Sequence, residues 1–187
     1  MHNKVYIVHG YSASPESHWF PWLADQLAEN DVKTHILPMP DSAHPDADTW
    51  IGYLARHIPT HDEHSYFIGH SLGCITLLRH LSALPEASRI GGIVLVAGFA
   101  ESLPEYPKLD HFTAPGIDAH KIIGMTEHRA VVLSLDDSIV PPKKTERLSE
   151  RIQAELYKVE HAGHFMAQDG FTTFPLIHQV LTGMLRQ

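Results

Sequence analysis

The sequence predicts an α/β fold in which a doubly wound, mostly parallel sheet of about six strands carries helices on both faces. Short apolar runs recur along the chain, and longer stretches with helical spacing of apolar residues separate them. The central runs are apolar throughout, which is typical of strands buried on both faces of a parallel sheet. Because strands alternate with helices, right-handed crossovers are expected between successive strands.

Six segments have the composition of strands. They are rich in β-branched and aromatic residues, and all but the last stop at a residue that turns or breaks the chain. The last segment alternates apolar and polar residues more than the others do. The predicted strands span residues 5–8, 34–37, 65–68, 92–97, 130–135 and 155–159.

Five further segments place apolar residues on one face of a helix. In the second of them, Asp48 or Thr49 is in position to cap the first turn. The third ends before Pro85, which cannot continue a helix. The five apolar faces consist of Trp19, Leu23 and Leu27; Trp50, Leu54 and Ile58; Leu72, Ile75, Leu78 and Leu81; Leu148 and Ile152; and Phe174, Ile177, Leu181 and Leu185.

Length and composition predict one domain over residues 1–187. The formal net charge is −8 and no basic stripe is present, so we expect no nucleic-acid partner. Cys74 is the single cysteine, which excludes an internal disulfide. The chain starts without a signal-peptide pattern and has no apolar run long enough to cross a bilayer. We therefore expect a cytoplasmic protein that does not contact the membrane.

Residues 69–73 form a G-x-S-x-G pattern between the third predicted strand and a predicted helix. This is the setting of a nucleophile elbow, a turn so tight that glycines flank the serine and the hydroxyl is exposed. We therefore predict Ser71 as a nucleophile. The amide of Leu72 would lie at the helix N-terminus, where it can stabilise an oxyanion. A plain glycine-rich turn is the alternative interpretation.

A serine nucleophile needs a base, and on this type of sheet the order along the chain is serine, acid, histidine. Asp136 and Asp137 lie just after the fifth predicted strand. We choose Asp137 as the acid because it has the D-x-x-V-P spacing that ends at Pro141. Asp136 would then support the turn, and two aspartates that merely shape a loop are the alternative.

Two histidines follow the sixth predicted strand. His164 comes after a glycine and before an aromatic residue, as the base of such a triad commonly does, whereas His161 lies nearer the strand end. We choose His164 as the base and expect His161 to be structural. Nucleophile, acid and base each follow a strand, so all three are expected at one edge of the sheet.

The first predicted strand is followed by His9, Gly10 and Tyr11. A glycine here permits close approach of the main chain, and we predict that the Tyr11 amide is the second oxyanion donor. An ordinary glycine at a strand end is the alternative interpretation.

These motifs resemble those of the small α/β hydrolases of the YdeN and retinoblastoma-binding-protein-9 family, and the bacterial YdeN branch more closely. The resemblance covers essentially the whole chain and includes residues 9–10, 18–22, 69–73, 98–100, 136–141 and 163–165. It implies a minimal hydrolase core of about six strands without a large cap domain. The pocket-protein-binding motif of the animal member, Leu-x-Cys-x-Glu, is absent, since residues 72–76 lack the glutamate.

The segment 99–129, called the insertion below, interrupts the alternation of strands and helices. It contains Pro104, Pro107 and Pro115, which predict irregular structure. Two roles are open: the insertion covers the active site, with Phe112 and Ile117 as apolar substrate contacts, or it is a surface loop. His70 and Phe165, which flank the predicted nucleophile and base, are further candidate substrate contacts.

The predicted reaction is hydrolysis of a small-molecule ester through an acyl-enzyme on Ser71, with no cofactor and no metal ion. Cleavage of an amide, a peptide or a thioester by the same residues is the alternative within enzymes. A non-catalytic binding protein that retains the fold is the alternative from another class. The sequence leaves the natural substrate and the oligomeric state open.

Overall fold

The computed structural model describes residues 2–186, and its six strands form one sheet in the order β2-β1-β3-β4-β5-β6. Each neighbouring pair of strands is parallel. The predicted fold class is therefore confirmed. The strands are β1 (Lys4–Val8), β2 (Lys33–Leu37), β3 (Ser65–His70), β4 (Gly92–Val96), β5 (Arg129–Ser134) and β6 (Glu155–Val159).

Helices cover both faces of the sheet. The helices α1 and α7 bury apolar side chains on one face, and α2 to α6 bury theirs on the other. Among residues 2–186, none of the helices has the length and apolar composition needed to cross a membrane. The helices are α1 (Phe20–Ala28), α2 (Ala47–His57), α3 (Leu72–Ser82), α4 (Asp110–Thr113), α5 (Ala119–Met125), α6 (Pro142–Arg151) and α7 (Pro175–Leu185).

The strand β1 explains why the central apolar runs are continuous. Val5 and Ile7 belong to the core on the α1–α7 side, whereas Tyr6 and Val8 belong to the core on the opposite side. Successive side chains of a strand point to opposite faces, so a strand covered on both faces has no polar face. By contrast, the edge strand β6 has no fully buried residue, in accord with its more alternating sequence.

The predicted cap of α2 was placed two to three residues too late. The helix begins at Ala47, and the extended residue Asp46 is its N-cap. The Asp46 carboxylate accepts hydrogen bonds from the amide of Thr49 at 2.8 Å and from the Thr49 hydroxyl at 2.6 Å. Asp48 and Thr49 therefore lie inside the first turn, where Thr49 is the partner of the cap.

The insertion is more regular than predicted. It contains a 3-10 turn at Pro107–Leu109 and the short helices α4 and α5. Asp118 caps α5 by accepting a hydrogen bond from the Lys121 amide at 3.0 Å. Helices of one or two turns are too short to show the spacing of apolar residues that identifies a helix in a sequence. The prolines were therefore the main signal, and they predicted irregular structure. Because the insertion holds only these short helices, the described residues include no large cap domain.

Candidate active site

Ser71 lies between the last residue of β3 and the first residue of α3, with no intervening loop. Its backbone has a φ of 54° and a ψ of −122°, a conformation that side-chain-bearing residues rarely adopt. Its amide donates to the carbonyl oxygen of Val96 at 2.9 Å, which ties the turn to the end of β4. The serine is thus held by the sheet itself at the carboxyl ends of the strands.

The two glycines of the motif are required by packing. A Cβ at Gly69 would lie 2.8 Å from the Cα of Cys74. A Cβ at Gly73 would collide with the carbonyl oxygens of Val8 and His9. Any side chain at residue 73 would therefore push α3 away from β1, and the turn that presents Ser71 would open.

Ser71, His164 and Asp137 are joined by two short hydrogen bonds. The Ser71 Oγ lies 2.8 Å from the His164 Nε2, and the His164 Nδ1 lies 2.7 Å from the Asp137 Oδ2. A carboxylate can only accept, so the Nδ1 carries the proton and the Nε2 lone pair faces the serine hydroxyl. This arrangement can remove the serine proton during attack and can stabilise the imidazolium that results.

The second oxygen of Asp137 explains the register of the D-x-x-V-P pattern. The Asp137 Oδ1 accepts hydrogen bonds from the amides of Ile139 at 2.8 Å and Val140 at 2.9 Å. The loop thus wraps around its own carboxylate and aims the other oxygen at His164. The aspartate that the sequence favoured as the acid is the one that contacts the histidine.

Asp136 has a different set of contacts. Its Oδ1 accepts hydrogen bonds from the amides of Ala162 and Gly163, both at 3.0 Å, and from the Ser134 hydroxyl at 2.6 Å. Asp136 therefore connects the end of β5 to the loop that carries His164. The His161 side chain is 90% exposed, and its Nδ1 lies 3.7 Å from the Asp136 Oδ2, so it faces the solvent.

His70 is buried and does not reach the substrate side of the site. Its Nε2 donates to the carbonyl oxygen of His164 at 2.9 Å, and its Nδ1 has no hydrogen-bond partner among the described residues. Burial lowers the pKa of His70 well below its usual value, and the nearby His164 lowers it further. The prediction of a substrate contact here is corrected: His70 contacts the backbone of the base.

Other side chains that the sequence analysis missed hold the loop that carries His164. The Asp169 Oδ2 accepts hydrogen bonds from the amides of His164 at 2.9 Å and Met166 at 3.0 Å. The Trp19 indole donates to the carbonyl oxygen of Phe165 at 3.2 Å. The only sequence signal for Asp169 is an acidic residue before a glycine, which many loops contain.

The main chain after β1 approaches Ser71 closely. A Cβ on Gly10 would lie 2.9 Å from the Ser71 Cβ. His9 holds this segment, because its Nδ1 donates to the Gly10 carbonyl oxygen and its Nε2 accepts from the Met39 amide. Burial lowers the pKa of His9, which favours the neutral ring that this pairing requires. The amides of Tyr11 and Leu72 have no hydrogen-bond partner within residues 2–186.

A cavity of about 240 Å³ opens beside Ser71 and His164. Four of its lining residues come from the insertion, Ser71 comes from the turn after β3, and the others come from the loops after β1, β5 and β6. Apart from Ser71 and His164, the lining consists of Tyr11, Phe99, Leu103, Tyr106, Leu109, Ile139, Val140, Met166 and Gln168.

The other three predicted substrate contacts do not line this cavity. Phe112, on α4 within the insertion, is fully buried, and its ring lies 5.8 Å from that of Trp50. Phe165 is buried on the α1–α7 side of the sheet, stacked on Phe174. Ile117 is half-buried against the core on the α2–α6 side of the sheet, and its carbonyl oxygen accepts a hydrogen bond from Arg151. These expectations are corrected because Phe112 and Phe165 are buried in the core and Ile117 packs against it, and none of the three lines the cavity.

Cys74, one turn after Ser71, takes no part in the site. Its thiol is buried and donates weakly to the carbonyl oxygen of Val96 at 3.5 Å. Burial raises the pKa of the thiol, so it stays protonated at neutral pH. Within the described residues, no group of three or more His, Cys, Asp or Glu side chains is arranged to hold a metal ion.

Comparison with known proteins identifies the family. A family model described as serine hydrolase matches residues 5–183. The chain belongs to the serine hydrolase family. The chain is 45% identical to YdeN of Bacillus subtilis strain 168 over 182 residues, which cover 97% of this chain and 96% of that protein. It is 24% identical to the serine hydrolase RBBP9 of Rattus norvegicus over 169 residues, or 89% of this chain and 88% of that protein.

Solved structures of the serine hydrolase family and its fold agree with this assignment. The crystal structure of B. subtilis YdeN matches with a TM-score of 0.96 and 44% identity, and the match covers 99% of this chain and all of that one. The α/β hydrolase MGS-MChE2, from a lagoon-sediment metagenome, matches with a TM-score of 0.72 and 18% identity over 100% and 91% of the chains. The second match shows the fold alone. The resemblance seen in the sequence is therefore confirmed.

Proposed function

We propose that this serine hydrolase cleaves small carboxylic esters through an acyl-enzyme formed on Ser71. The observation that carries the proposal is the continuous hydrogen-bonded chain from the Ser71 Oγ through His164 to Asp137, with distances of 2.8 and 2.7 Å. Serine is a weak nucleophile on its own, and a base within hydrogen-bond reach, itself oriented by a carboxylate, activates it.

Acylation begins when the Ser71 oxygen attacks the ester carbonyl carbon while His164 takes the hydroxyl proton. Asp137 keeps the imidazole in the required tautomer and stabilises its positive charge. The tetrahedral intermediate collapses as the carbon–oxygen bond to the alcohol breaks. His164 gives its proton to the departing oxygen, and the acyl group remains on Ser71.

The developing oxyanion needs hydrogen-bond donors that are in place before the reaction. The amides of Tyr11 and Leu72 meet this requirement in our proposal. Both are without partners in the described residues, and Leu72 opens α3, whose N-terminus favours negative charge. The close approach of Gly10 to Ser71 supports the position of the Tyr11 amide near the reacting carbonyl.

Deacylation repeats these steps with water in place of the serine hydroxyl. His164 removes a proton from water, the hydroxide oxygen attacks the acyl carbon, and the proton returns to Ser71 as the carboxylic acid leaves. The exposed position of Gln168 on the cavity wall supports access of water to this side of His164.

Labelling with a fluorophosphonate tests whether the serine is activated. We expect the protein to be labelled and to hydrolyse activated esters, and Ser71→Ala to lose both properties while it stays folded. Because a triad acts as a unit, the loss in kcat should be roughly 10⁴-fold or more. Ser138→Ala, an exposed serine in the acid loop, is the matched control and should keep both properties.

A binding protein without an activated serine would remain unlabelled, which would refute the proposal. Near-normal hydrolysis by a clean Ser71→Ala preparation would refute the mechanism. Parallel assays with thioesters and aminoacyl amides decide the leaving group, because the triad alone does not distinguish between them.

A further inference from the structure

We infer that the protein is selective for a small, uncharged, apolar acyl group and tolerant of the alcohol to which that group is attached. The inference rests on the proposed function and assigns the cavity beside Ser71 to the acyl half of the ester. Three features carry it: the two walls of the cavity differ in burial, the apolar wall is fixed at both ends, and the lining carries no ionic group besides the base.

The wall formed by the insertion and the acid loop is mostly apolar and mostly buried, and only Tyr106 and Ile139 among its residues are half-buried. Phe99, Leu103 and Leu109 come from the insertion, Val140 comes from the loop after β5, and all four are buried. An apolar group that enters this part of the cavity loses its contact with water and gains contact with side chains, which is favourable in proportion to the area covered.

A second part of the lining belongs to the loop that carries His164 and is open to solvent. Met166 is half-buried and Gln168 is exposed. The leaving oxygen of the ester has to lie next to the His164 Nε2, because this nitrogen supplies its proton. The alcohol portion is therefore directed toward the open wall and solvent, and the acyl portion toward the buried wall.

Ion pairs and a hydrogen bond hold the insertion in place at both ends of the apolar wall. At its beginning, Glu101 pairs with Arg147 at 2.7 Å and with Lys144 at 3.0 Å, both on α6. Farther along, the Lys108 Nζ donates to the Tyr11 hydroxyl at 2.5 Å across the cavity rim. A wall fixed in this way has a defined size, so acyl groups are discriminated by length and not only by polarity.

The size and charge of the cavity define the substrate class. Its volume of about 240 Å³ is below the range of roughly 300–1,000 Å³ typical of pockets for drug-sized ligands. Among its lining residues, His164 is the only ionisable group besides the two tyrosines. An anionic acyl group would be desolvated there without a cationic partner, because Lys108 lies at the rim and is bonded to Tyr11.

The test measures kcat/KM for 4-nitrophenyl esters with one leaving group and different acyl groups: acetate, butyrate, hexanoate, octanoate, dodecanoate and hemisuccinate. We expect a maximum among the shorter neutral acyl groups. The dodecanoate and the hemisuccinate should each be slower by about tenfold or more, the scale on which pockets discriminate neighbouring substrates. Replacing 4-nitrophenol by the larger 4-methylumbelliferone, with butyrate kept, should change kcat/KM less than the acyl series does.

Two substitutions at one position make the test specific to the wall. Leu103→Phe should shift the optimum to shorter acyl groups, and Leu103→Ala should shift it to longer ones. Glu105→Gln, which is exposed on the same segment and does not line the cavity, should leave the optimum unchanged. Fluorophosphonate labelling of every variant shows whether Ser71 is still activated.

Equal rates for the butyrate and the dodecanoate, or a preference for the hemisuccinate, would overturn the inference while the proposed function stands. The same holds if both Leu103 variants keep the parent optimum with normal labelling. Absence of labelling together with absence of hydrolysis in the parent protein would overturn the proposed function and, with it, the assignment of the cavity.

Discussion

The imidazole of His70 donates its Nε2–H to the carbonyl oxygen of His164 across 2.9 Å. His70 directly precedes Ser71 in the chain, so this one hydrogen bond connects the backbone of the nucleophile turn to the backbone of the base. Because His70 is only 2% exposed, water cannot replace the bond if it is lost. We therefore expect His70 to act as a positioning residue for the pair Ser71–His164.

We expect His70→Ala to lower kcat by about 10- to 100-fold, since displacements of reacting groups by about an ångström have effects of this size. KM should change little, because His70 does not line the cavity. His70→Gln should restore much of the rate, since its amide nitrogen can reach the same carbonyl oxygen. Steady-state kinetics and the melting temperature are measured on both variants. A lowered melting temperature with unchanged kcat would mean that His70 has only a structural role.

The two neighbouring aspartates should respond differently to the same change. Asp137→Asn removes the charge next to His164 and permits the wrong imidazole tautomer, and the expected loss in kcat is about 10⁴-fold. Asp136→Asn keeps an acceptor for the amides of Ala162 and Gly163, so the loss should be tenfold or smaller. If the measured kcat values show the opposite order, the acid is Asp136.

The two histidines of the base loop offer a second matched pair. His164→Ala removes the base and should reduce kcat to the level of Ser71→Ala, because the residues act as a unit. His161→Ala changes a side chain that is 90% exposed and should leave kcat near the parent value. The assay is steady-state ester hydrolysis, with circular dichroism as the control for folding. If the His161→Ala variant were folded but inactive and the His164→Ala variant kept its activity, the base would be His161.

A histidine pair outside the site predicts a dependence of stability on pH. The Nε2 atoms of His61 and His80 are 2.8 Å apart, so one ring donates and the other accepts. Burial, with a smaller contribution from His61, lowers the pKa of His80 from 6.5 to about 4. The unfolded chain therefore binds a proton more readily than the native protein, and stability falls as the pH decreases from 6.5 to about 4.

Replacement of His80 by glutamine should reduce this pH dependence. The shifted pKa of His80 lowers the free energy of unfolding of the parent protein by roughly 2 kcal/mol between pH 7 and pH 4.5. The drop in His80→Gln should be smaller by about this amount, because glutamine does not titrate. Urea unfolding at both pH values measures this difference, with the exposed His120→Gln as control. An identical drop in the parent protein and in His80→Gln would contradict the assignment.

The parallel sheet and the order of serine, aspartate and histidine along the chain could be predicted from the sequence, because both depend on local sequence patterns. Ser71 has a glycine-flanked turn, and Asp137 precedes two residues whose amides its own carboxylate binds. The substrate contacts were not predictable in this way. His70 and Phe165 adjoin the reacting residues in sequence, yet both side chains are buried in the protein and neither lines the cavity.

The contacts that position the base loop were also beyond sequence reasoning. The side chains of Asp169 and Trp19 bind backbone groups of the loop. Every residue has such backbone groups, so the sequence does not show which of them are bound. The cap of α2 was misplaced for a related reason, since Asp46 and Asp48 are equally good cap residues by type. Only the extended backbone at residue 46 distinguishes them.

The hydrogen bond between Lys108 and Tyr11 has a consequence for how the active site can be re-engineered. Tyr11 lies on the loop that approaches Ser71, while Lys108 lies on the insertion that shapes the cavity. Transplanting an insertion from another hydrolase would therefore also remove the hydrogen-bond partner of Tyr11. Residues 11 and 108 should therefore be exchanged together. A chimera made in this way keeps the hydrogen bond between the insertion, which lines the cavity, and the loop after β1, which approaches Ser71.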